Sequence, residues 1–223
     1  MLIHRIIPER HIETLLEGYL YFSPCDEFVD PLEFRFGLCQ DAFDLGGDKA
    51  LAQCVRASFK KPEVERKIAN TSISCWMQYS EERAFMWEVY GQQLPAILVT
   101  AESGVLQAHL RTVMGSAKTS AGEVQYHFLP SQTHPPFYIP PTDASAKVQF
   151  HLFFHKHGYY SYEKEFRMVL DELGPIRIPL PSHLITRVTI SPFGRLAPAN
   201  TNRLREMFAG RVEPSSIKLP YMV

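Results

Sequence analysis

YYSYEKEFRMVL, residues 159–170, is the stretch on which the interpretation of the fold depends. It contains aromatic and β-branched residues, it has no proline, and Gly158 precedes it, which is typical of a β-strand. Because successive side chains of a strand point to opposite faces, the stretch is predicted to have one mostly apolar and one polar face. The first face would carry Tyr162, Lys164, Phe166, Met168 and Leu170, and the second Ser161, Glu163, Glu165, Arg167 and Val169.

The polar face of this predicted strand has two interpretations. Carboxylates two residues apart on one face repel each other unless a cation, a substrate or water lies between them. The face is either a solvated surface or the lining of a cleft in which Glu163 or Glu165 does chemistry. The second interpretation predicts that both glutamates and Arg167 face a concave pocket.

The composition is that of an ordinary globular protein. The 223 residues are 45% hydrophobic and 21% charged, and the net charge of −1 gives no strong signal for nucleic acid or for an anionic membrane. The four cysteines form no CxxC pair and are too sparse for a disulfide scaffold. No apolar run has the length of a signal peptide or a membrane span, so a cytoplasmic location is expected.

The order of predicted elements indicates a single mixed α+β domain of residues 1–223, with antiparallel-rich sheets and flanking helices. Strands are predicted at 2–7, 19–22, 70–77, 95–100, 123–129, 159–170, 176–180, 187–191 and 217–219. Helices are predicted at 8–18, 48–59, 62–69, 80–90, 103–114 and about 200–210. Residues 130–146 contain five prolines and are interpreted as an irregular loop.

Three further motifs contain candidate binding residues. Asp30 and Glu33 flank a proline in a turn that would either be purely structural or lie at the rim of the same pocket as the glutamates. Ser72 and Ser74 lie on one face of a strand, where their hydroxyls would meet a ligand, water or backbone groups. Tyr90 follows a Met-Trp pair at helical spacing, which favours packing in a core.

The three histidines between residues 151 and 157 are not predicted to form a metal site. In a helix His151 and His155 would share a face, whereas in a strand His155 and His157 would do so. Neither geometry brings all three rings together, and no cysteine lies nearby to complete a zinc site.

Taken in order, the motifs resemble a family of bacterial proteins known as a conserved domain of unknown function. The resemblance covers nearly the whole chain and rests on Leu20–Pro24, Phe28 with Asp30-Pro31 and Glu33, Ser72–Cys75, Met86-Trp87 with Tyr90, Tyr162–Arg167 and Val188–Pro192. Some members of that family lie near phage-defence genes, so the resemblance implies a role in defence. Two positions depart from the family pattern: Val29 replaces an asparagine, and Tyr159 and Tyr160 stand near the place of a tryptophan.

A second set of motifs is similar to ADP-ribosyltransferases of the arginine–serine–glutamate type. Arg5 lies on a first strand, Ser72 begins a Ser-x-Ser strand, and Glu163 and Glu165 form a later Glu-x-Glu. The resemblance implies that NAD is bound, with Arg5 on its phosphates, Ser72 near the nicotinamide ribose and Glu165 stabilising the positive centre. Glu163 would support the acceptor nucleophile. Arg167 is added as a candidate NAD-binding residue, since a guanidinium suits phosphate. Ser74 and Tyr90 are further candidates.

Three functions are therefore compared. The first is an NAD-utilising, ADP-ribosyltransferase-like enzyme with an unknown acceptor, and the second is a non-catalytic sensor or interaction module with a protein partner. The third and weakest is a metal-dependent hydrolase or nuclease that uses Asp30, Glu33, Glu163 and Glu165 around a divalent cation.

Overall fold

The computed structural model describes residues 1–28, 62–127 and 151–218, with the side chains of residues 63, 64, 127, 151, 152 and 157 left out. The chain divides into two compact units. Unit 1 comprises Met1–Phe22, Cys75–Val113 and Arg177–Val223, and unit 2 comprises Ser23–Ser74 and Met114–Ile176. The predicted Asp30–Glu33 turn, the helix at 48–59 and the loop at 130–146 lie outside the described residues.

Helices and strands alternate irregularly along the chain, and the α+β class with mainly antiparallel sheets is confirmed. The described helices are α1 (Ile12–Leu16), α2 (Pro62–Ala69), α3 (Ala84–Val89), α4 (Ser103–Met114) and α5 (Pro198–Met207). The strands are β1 (Leu2–Pro8), β2 (Tyr19–Pro24), β3 (Ser72–Met77), β4 (Ala96–Glu102), β5 (Thr119–Glu123), β6 (Gln125–His127), β7 (His155–His157), β8 (Glu165–Leu170), β9 (Ile176–Pro179), β10 (Ile185–Ile190) and β11 (Val212–Pro214). The single-domain organisation stays a prediction.

Unit 1 is built around β4, the most apolar of the described strands. Every residue of β4 except Glu102 is buried, and β1 and β10 pair with it antiparallel on its two edges. β11 extends the sheet next to β10 as a parallel strand, and β3 meets β1 at the pair His4 and Met77. A strand that is buried on both faces has a continuous hydrophobic run rather than an alternating one, which explains the sequence of β4.

The helix α4 of unit 1 follows β4 directly and has the bounds predicted from the sequence. Its buried residues are Ser103, Leu106 and Leu110, which recur at intervals of three and four and so form one stripe. The residues between them are exposed or half-buried, as the amphipathic pattern requires. The predicted helix at 103–114 is therefore confirmed.

Unit 2 is built around β8, whose six residues are all buried. β8 pairs antiparallel with β5, where Arg167 lies opposite Gly122, and it also pairs with β3. The smaller pair β6 and β7 is parallel, with Tyr126 opposite Lys156. The prediction of one solvated face on β8 is therefore wrong, because both faces of this strand are covered.

The predicted strand at 159–170 is correct only in its second half. Gly158–Glu163 form a 3-10 helix, and Lys164 joins it to β8 with a φ of 44°, in the left-handed region that non-glycine residues rarely adopt. The aromatic residues suggested a strand, but their local backbone is helical. Strand alternation therefore does not relate Glu163 to Glu165, and the predicted two-faced arrangement of residues 161–165 is wrong.

Most of the other predicted elements are confirmed within the described residues. The strands at 2–7, 19–22, 70–77, 95–100, 176–180 and 187–191 and the helices at 62–69, 80–90, 103–114 and 200–210 all have counterparts, with shifted ends. The predicted strand at 217–219 is wrong at its described residues, because the last described strand is Val212–Pro214. Among the described residues no helix has the length and apolar character needed to cross a membrane.

Candidate functional site

Four charged side chains of unit 2 meet inside the protein, and we call them the charge cluster: Lys156, Glu163, Glu165 and Arg167. Lys156 comes from β7, Glu163 ends the 3-10 helix, and the other two lie on β8. The exposed fractions of their side chains are 13%, 7%, 6% and 0% in chain order. Charged groups are almost never this buried unless they are paired, so the cluster is the most unusual chemical feature of the described residues.

The centre of the charge cluster is a two-armed ion pair. The Nε and Nη2 atoms of Arg167 each donate to one oxygen of Glu165, both at 2.8 Å. Nη1 of Arg167 donates to the carbonyl oxygen of Phe153, also at 2.8 Å. All three guanidinium nitrogens are thus bonded inside unit 2, and the planar fork of arginine is the geometry that permits this.

Lys156 links the two glutamates. Its Nζ lies 2.7 Å from Oε2 of Glu163 and 3.5 Å from Oε2 of Glu165. The same ammonium lies 4.6 Å from the centroid of the Tyr160 ring, within the range of a cation–π contact. The repulsion expected between the two carboxylates is therefore relieved by a cation from another strand, and two acids and two bases leave no net formal charge.

Tyr126 borders the charge cluster from β6. Its hydroxyl oxygen accepts a hydrogen bond of 2.8 Å from the backbone N–H of Glu165. Burial raises the pKa of the Tyr126 hydroxyl, the nearby Glu165 and Glu163 carboxylates add to the rise, and the bond from the Glu165 N–H and the charge of Lys156 oppose it. The hydroxyl consequently stays protonated at neutral pH and acts as a neutral neighbour of the two acids.

Sequence reasoning found the two glutamates and Arg167 but missed Lys156 and Tyr126. The sequence around Lys156 drew attention to its flanking histidines, and nothing local marks the lysine as buried. The parallel pairing of β6 with β7 places Tyr126 opposite Lys156, and both side chains contact the glutamate-bearing segment. Within the described residues no group of three or more His, Cys, Asp or Glu side chains could hold a metal ion.

Ser72 does not join the charge cluster. Its hydroxyl lies 2.5 Å from the carbonyl oxygen of Gly174 and 3.1 Å from that of Glu172, and its single proton serves one of them at a time. Both carbonyls belong to the turn after β8, whereas Glu165 begins that strand. Six strand residues at about 3.3 Å each separate the two ends. Ser72 therefore has a structural partner at the opposite end of β8, and Ser74 is buried on the same strand.

The remaining predicted binding residues lie in unit 1 or outside the described part. Arg5 is half-buried on β1 and donates from Nη1 to the carbonyl oxygen of Tyr21 at 2.7 Å; burial lowers the pKa of its guanidinium. Tyr90 is half-buried and packs against the core cluster around Trp87, as the core-packing interpretation predicted. Asp30 and Glu33 lie outside the described residues, so their place at a pocket rim stays a prediction.

Two of the residues predicted to hold NAD, Arg167 and Ser72, have contacts that do not fit that role. A dinucleotide needs donors directed at its two phosphates. The guanidinium of Arg167 is fully buried and bonded through every nitrogen, and the hydroxyl of Ser72 is bonded to backbone carbonyls. Both side chains hold the protein together instead of presenting donors to a ligand.

No family model, curated protein or solved structure matches the chain. The two resemblances stated from the sequence motifs therefore stay predictions.

Proposed function

We propose that the protein is a non-catalytic binding module that contacts a protein partner through Gly158–Glu163, the 3-10 helix that we call the tyrosine turn. One observation carries the proposal. The glutamates that would do chemistry are neutralised inside the charge cluster, whereas Tyr159 and Tyr162, from the turn that enters it, have exposed fractions of 78% and 47%.

The contacts of Glu165 favour a structural role for its charge. A carboxylate that stabilises a positive transition state must direct its charge at the reacting atom. Both oxygens of Glu165 instead accept hydrogen bonds from Arg167, and Lys156 adds a second cation at 3.5 Å. The field of this carboxylate is directed into the protein and largely cancelled there.

The tyrosine turn has the properties of a contact surface. Tyrosine offers a large amphipathic ring with few rotatable bonds, so ordering it on binding loses little entropy. The third tyrosine, Tyr160, packs on the Lys156 ammonium and so ties the turn to the charge cluster. The cluster would then keep the turn in one shape before a partner arrives, which favours tight binding.

Selection of peptides from a random library on the immobilised protein tests this surface. We expect selected peptides to lose at least tenfold in affinity for Tyr159→Ser and Tyr162→Ser. Tyr19→Ser is the control, because Tyr19 is an exposed tyrosine of unit 1 whose exposed fraction of 37% is nearest to the 47% of Tyr162. Peptides that bind all three variants as tightly as the unaltered chain would contradict the proposal, as would a library that yields no binder.

A second candidate, the NAD-utilising transferase-like enzyme, is favoured by one observation. Lys164 has a left-handed backbone between two buried glutamates, and strained non-glycine residues cluster at active sites. The measurement that separates the candidates is nicotinamide release from NAD by the purified chain. Release that disappears in Glu165→Gln, with folding checked by circular dichroism, would overturn the binding-module proposal. If the chain releases no nicotinamide and the library yields peptides that bind it, the enzyme hypothesis is rejected.

The proposed role in phage defence rests on the family resemblance alone. A binding module fits a sensor that recognises an invading protein, because a sensor needs a contact surface but no reaction of its own. The test is a plaque assay with bacteria that express the gene in its natural neighbourhood. Protection should be lost in the Tyr159→Ser variant and kept in Tyr19→Ser.

A further inference from the structure

A single carboxylate in unit 1 holds the segment that follows β11. We call Ser215–Lys218 the strap. The Glu82 carboxylate accepts hydrogen bonds from the Ser215 hydroxyl, from the Ser216 N–H at 3.1 Å and from the Ser216 hydroxyl at 3.0 Å. It also accepts one from the indole Nε1 of Trp87 at 2.5 Å. Glu82 thus joins the strap to a fully buried tryptophan.

Beside Glu82 the strap shares a buried hydrophobic cluster with several aromatic rings. Ile217 packs against a buried cluster that includes Trp87 and Met86. The half-buried rings around the same cluster, which we call the aromatic patch, are Tyr79, Phe85, Tyr90 and Phe193. Tyr79 and Phe85 meet edge to face with centroids 5.4 Å apart, so part of the patch has a fixed shape.

The strap is held by a small number of local contacts. Ser216 and Lys218 are exposed, Ser215 and Ile217 are half-buried, and none of the four belongs to a helix or a strand. Besides the bonds to Glu82, the strap has a bond from the Ser215 N–H to the Ile190 carbonyl and one from the Ile217 N–H to the Ser215 hydroxyl, both 3.0 Å. Segments with few buried apolar contacts open at a small fraction of the global unfolding free energy.

We propose that Glu82 and the aromatic patch form a docking site for a peptide in which two hydroxyl residues precede an aliphatic residue, and that the strap occupies this site as an intramolecular ligand. The chemistry of the occupant follows from what is already bound. A carboxylate selects hydroxyl and N–H donors, and the surface around the rings selects an aliphatic side chain two positions after the first hydroxyl. The strap would keep the site closed until such a peptide displaces it.

Competition between strap and peptide makes the proposal measurable. A site that is open for only a small fraction of the time binds an external ligand more weakly by that fraction. Substitution Ile217→Gly removes the apolar anchor of the strap and leaves the patch and Glu82 in place. The full chain carrying this change should therefore bind an external peptide at least tenfold more tightly than the unaltered chain.

The probe is a labelled peptide with the sequence of residues 212–218, Val-Glu-Pro-Ser-Ser-Ile-Lys, titrated by fluorescence anisotropy. Adding Glu82→Gln to the Ile217→Gly chain should weaken binding at least tenfold, whereas adding Glu81→Gln, the adjacent exposed glutamate, should not. A peptide with Ala-Ala-Asp in place of Ser-Ser-Ile should not bind.

If Ile217→Gly fails to fold, Ser216→Ala loosens the strap more gently, and the same order of peptide affinities is expected. Equal binding by the unaltered and loosened chains, or no binding by either, overturns the docking site. The tyrosine turn takes no part in this binding, so neither result decides the binding-module proposal.

Discussion

Glu165 and Arg167 lie two residues apart on β8 and bond to each other through two hydrogen bonds of equal length, 2.8 Å. Strand alternation places both side chains on one face, and the arginine fork turns back along the strand to meet the carboxylate. The pair is buried, so neither charge retains the water that would solvate it alone. Ion pairs of this kind contribute little net stability, but the removal of one partner is strongly destabilising.

Replacement of Arg167 by methionine should destabilise the protein by about 3–5 kcal/mol, because Glu165 would keep a buried charge with fewer donors. The measurement is chemical denaturation at neutral pH. The matched control is Arg203→Met, which breaks the two-armed ion pair between Arg203 and Glu13. The side chains of this pair are exposed, to 44% for Arg203 and 57% for Glu13. Exposed pairs are solvated by water when broken, so the control should leave the denaturation midpoint unchanged.

The double variant Glu165→Leu with Arg167→Met should be more stable than Arg167→Met alone. Removal of both partners leaves Lys156 paired with Glu163, so the remaining charges still cancel. Double-mutant analysis of the four unfolding free energies measures this coupling. A double variant that is less stable than the single one would mean that the pair packs the core of unit 2 by shape and not by charge balance.

Ser72→Ala should destabilise the protein by about 1–2 kcal/mol, since it leaves the Gly174 and Glu172 carbonyls without their hydroxyl donor. Ser161→Ala, at an exposed serine, should change stability by less than about 0.5 kcal/mol. Thermal melting with and without NAD completes the experiment. An NAD-dependent rise in Tm that Ser72→Ala abolishes, with its own Tm unchanged, would restore the ligand-binding role that the contacts of Ser72 argue against.

Lys164→Gly should stabilise the protein by about 1 kcal/mol, because glycine adopts a φ of 44° without the clash of a Cβ atom. Lys164→Ala is the control: it removes the same charge but keeps the Cβ, so it should show no comparable gain. If the left-handed residue serves a reaction or a contact, the glycine variant should be more stable and less active in the corresponding assay. Equal stability of the two variants would show that the backbone at this position is unstrained.

His4 should make stability depend on pH. Burial lowers the pKa of His4 from 6.5; its Nε2–H donates to the Tyr79 carbonyl at 2.7 Å, and its Nδ1 therefore accepts from Thr100 at 3.0 Å. Below pH 6.5 the unfolded chain gains a proton at this residue that the folded chain does not, so stability falls as pH falls until the folded pKa is reached. The slope from one such group is at most about 1.4 kcal/mol per pH unit.

The contribution of His4 is isolated by subtracting the pH profile of His4→Gln, because the chain has nine histidines in all. The difference between the two profiles should be flat above about pH 7 and should slope only on the acid side. A difference that slopes on the alkaline side of pH 7 would mean that the pKa of His4 is raised, not lowered.

The amphipathic helix α4 was predictable from the sequence, whereas the turn before β8 was not. Helix α4 was predicted with its correct bounds, and in the structure Leu106 and Leu110 form its buried stripe. The Tyr-rich residues before Lys164 were assigned to a strand because aromatic residues favour sheets. Their helical turn is instead stabilised by contacts such as that of Tyr160 with Lys156, which comes from another element.

The candidate site was likewise predictable only in part. The proximity of Glu163 and Glu165 was predicted, although for a reason that proved wrong, since a turn and not strand alternation joins them. Their neutralisation was not predictable, because nothing in the sequence marks Lys156 as buried, although it lies only seven residues before Glu163. The burial of Glu165 also argues that Glu165→Gln would destabilise the fold.

Unit 1 is formed by three separate segments of the chain, so its strands leave the ribosome at different times. β1 pairs with β4, so that Ile3 lies opposite Ala101. At typical synthesis rates the first strand would wait on the order of ten seconds for this partner. The stretches that form unit 2 end at Ile176, before the last stretch of unit 1 begins at Arg177. Unit 2 can therefore close while β4 still lacks β10, and the apolar β4 edge is then the surface that a nascent-chain chaperone would have to shield.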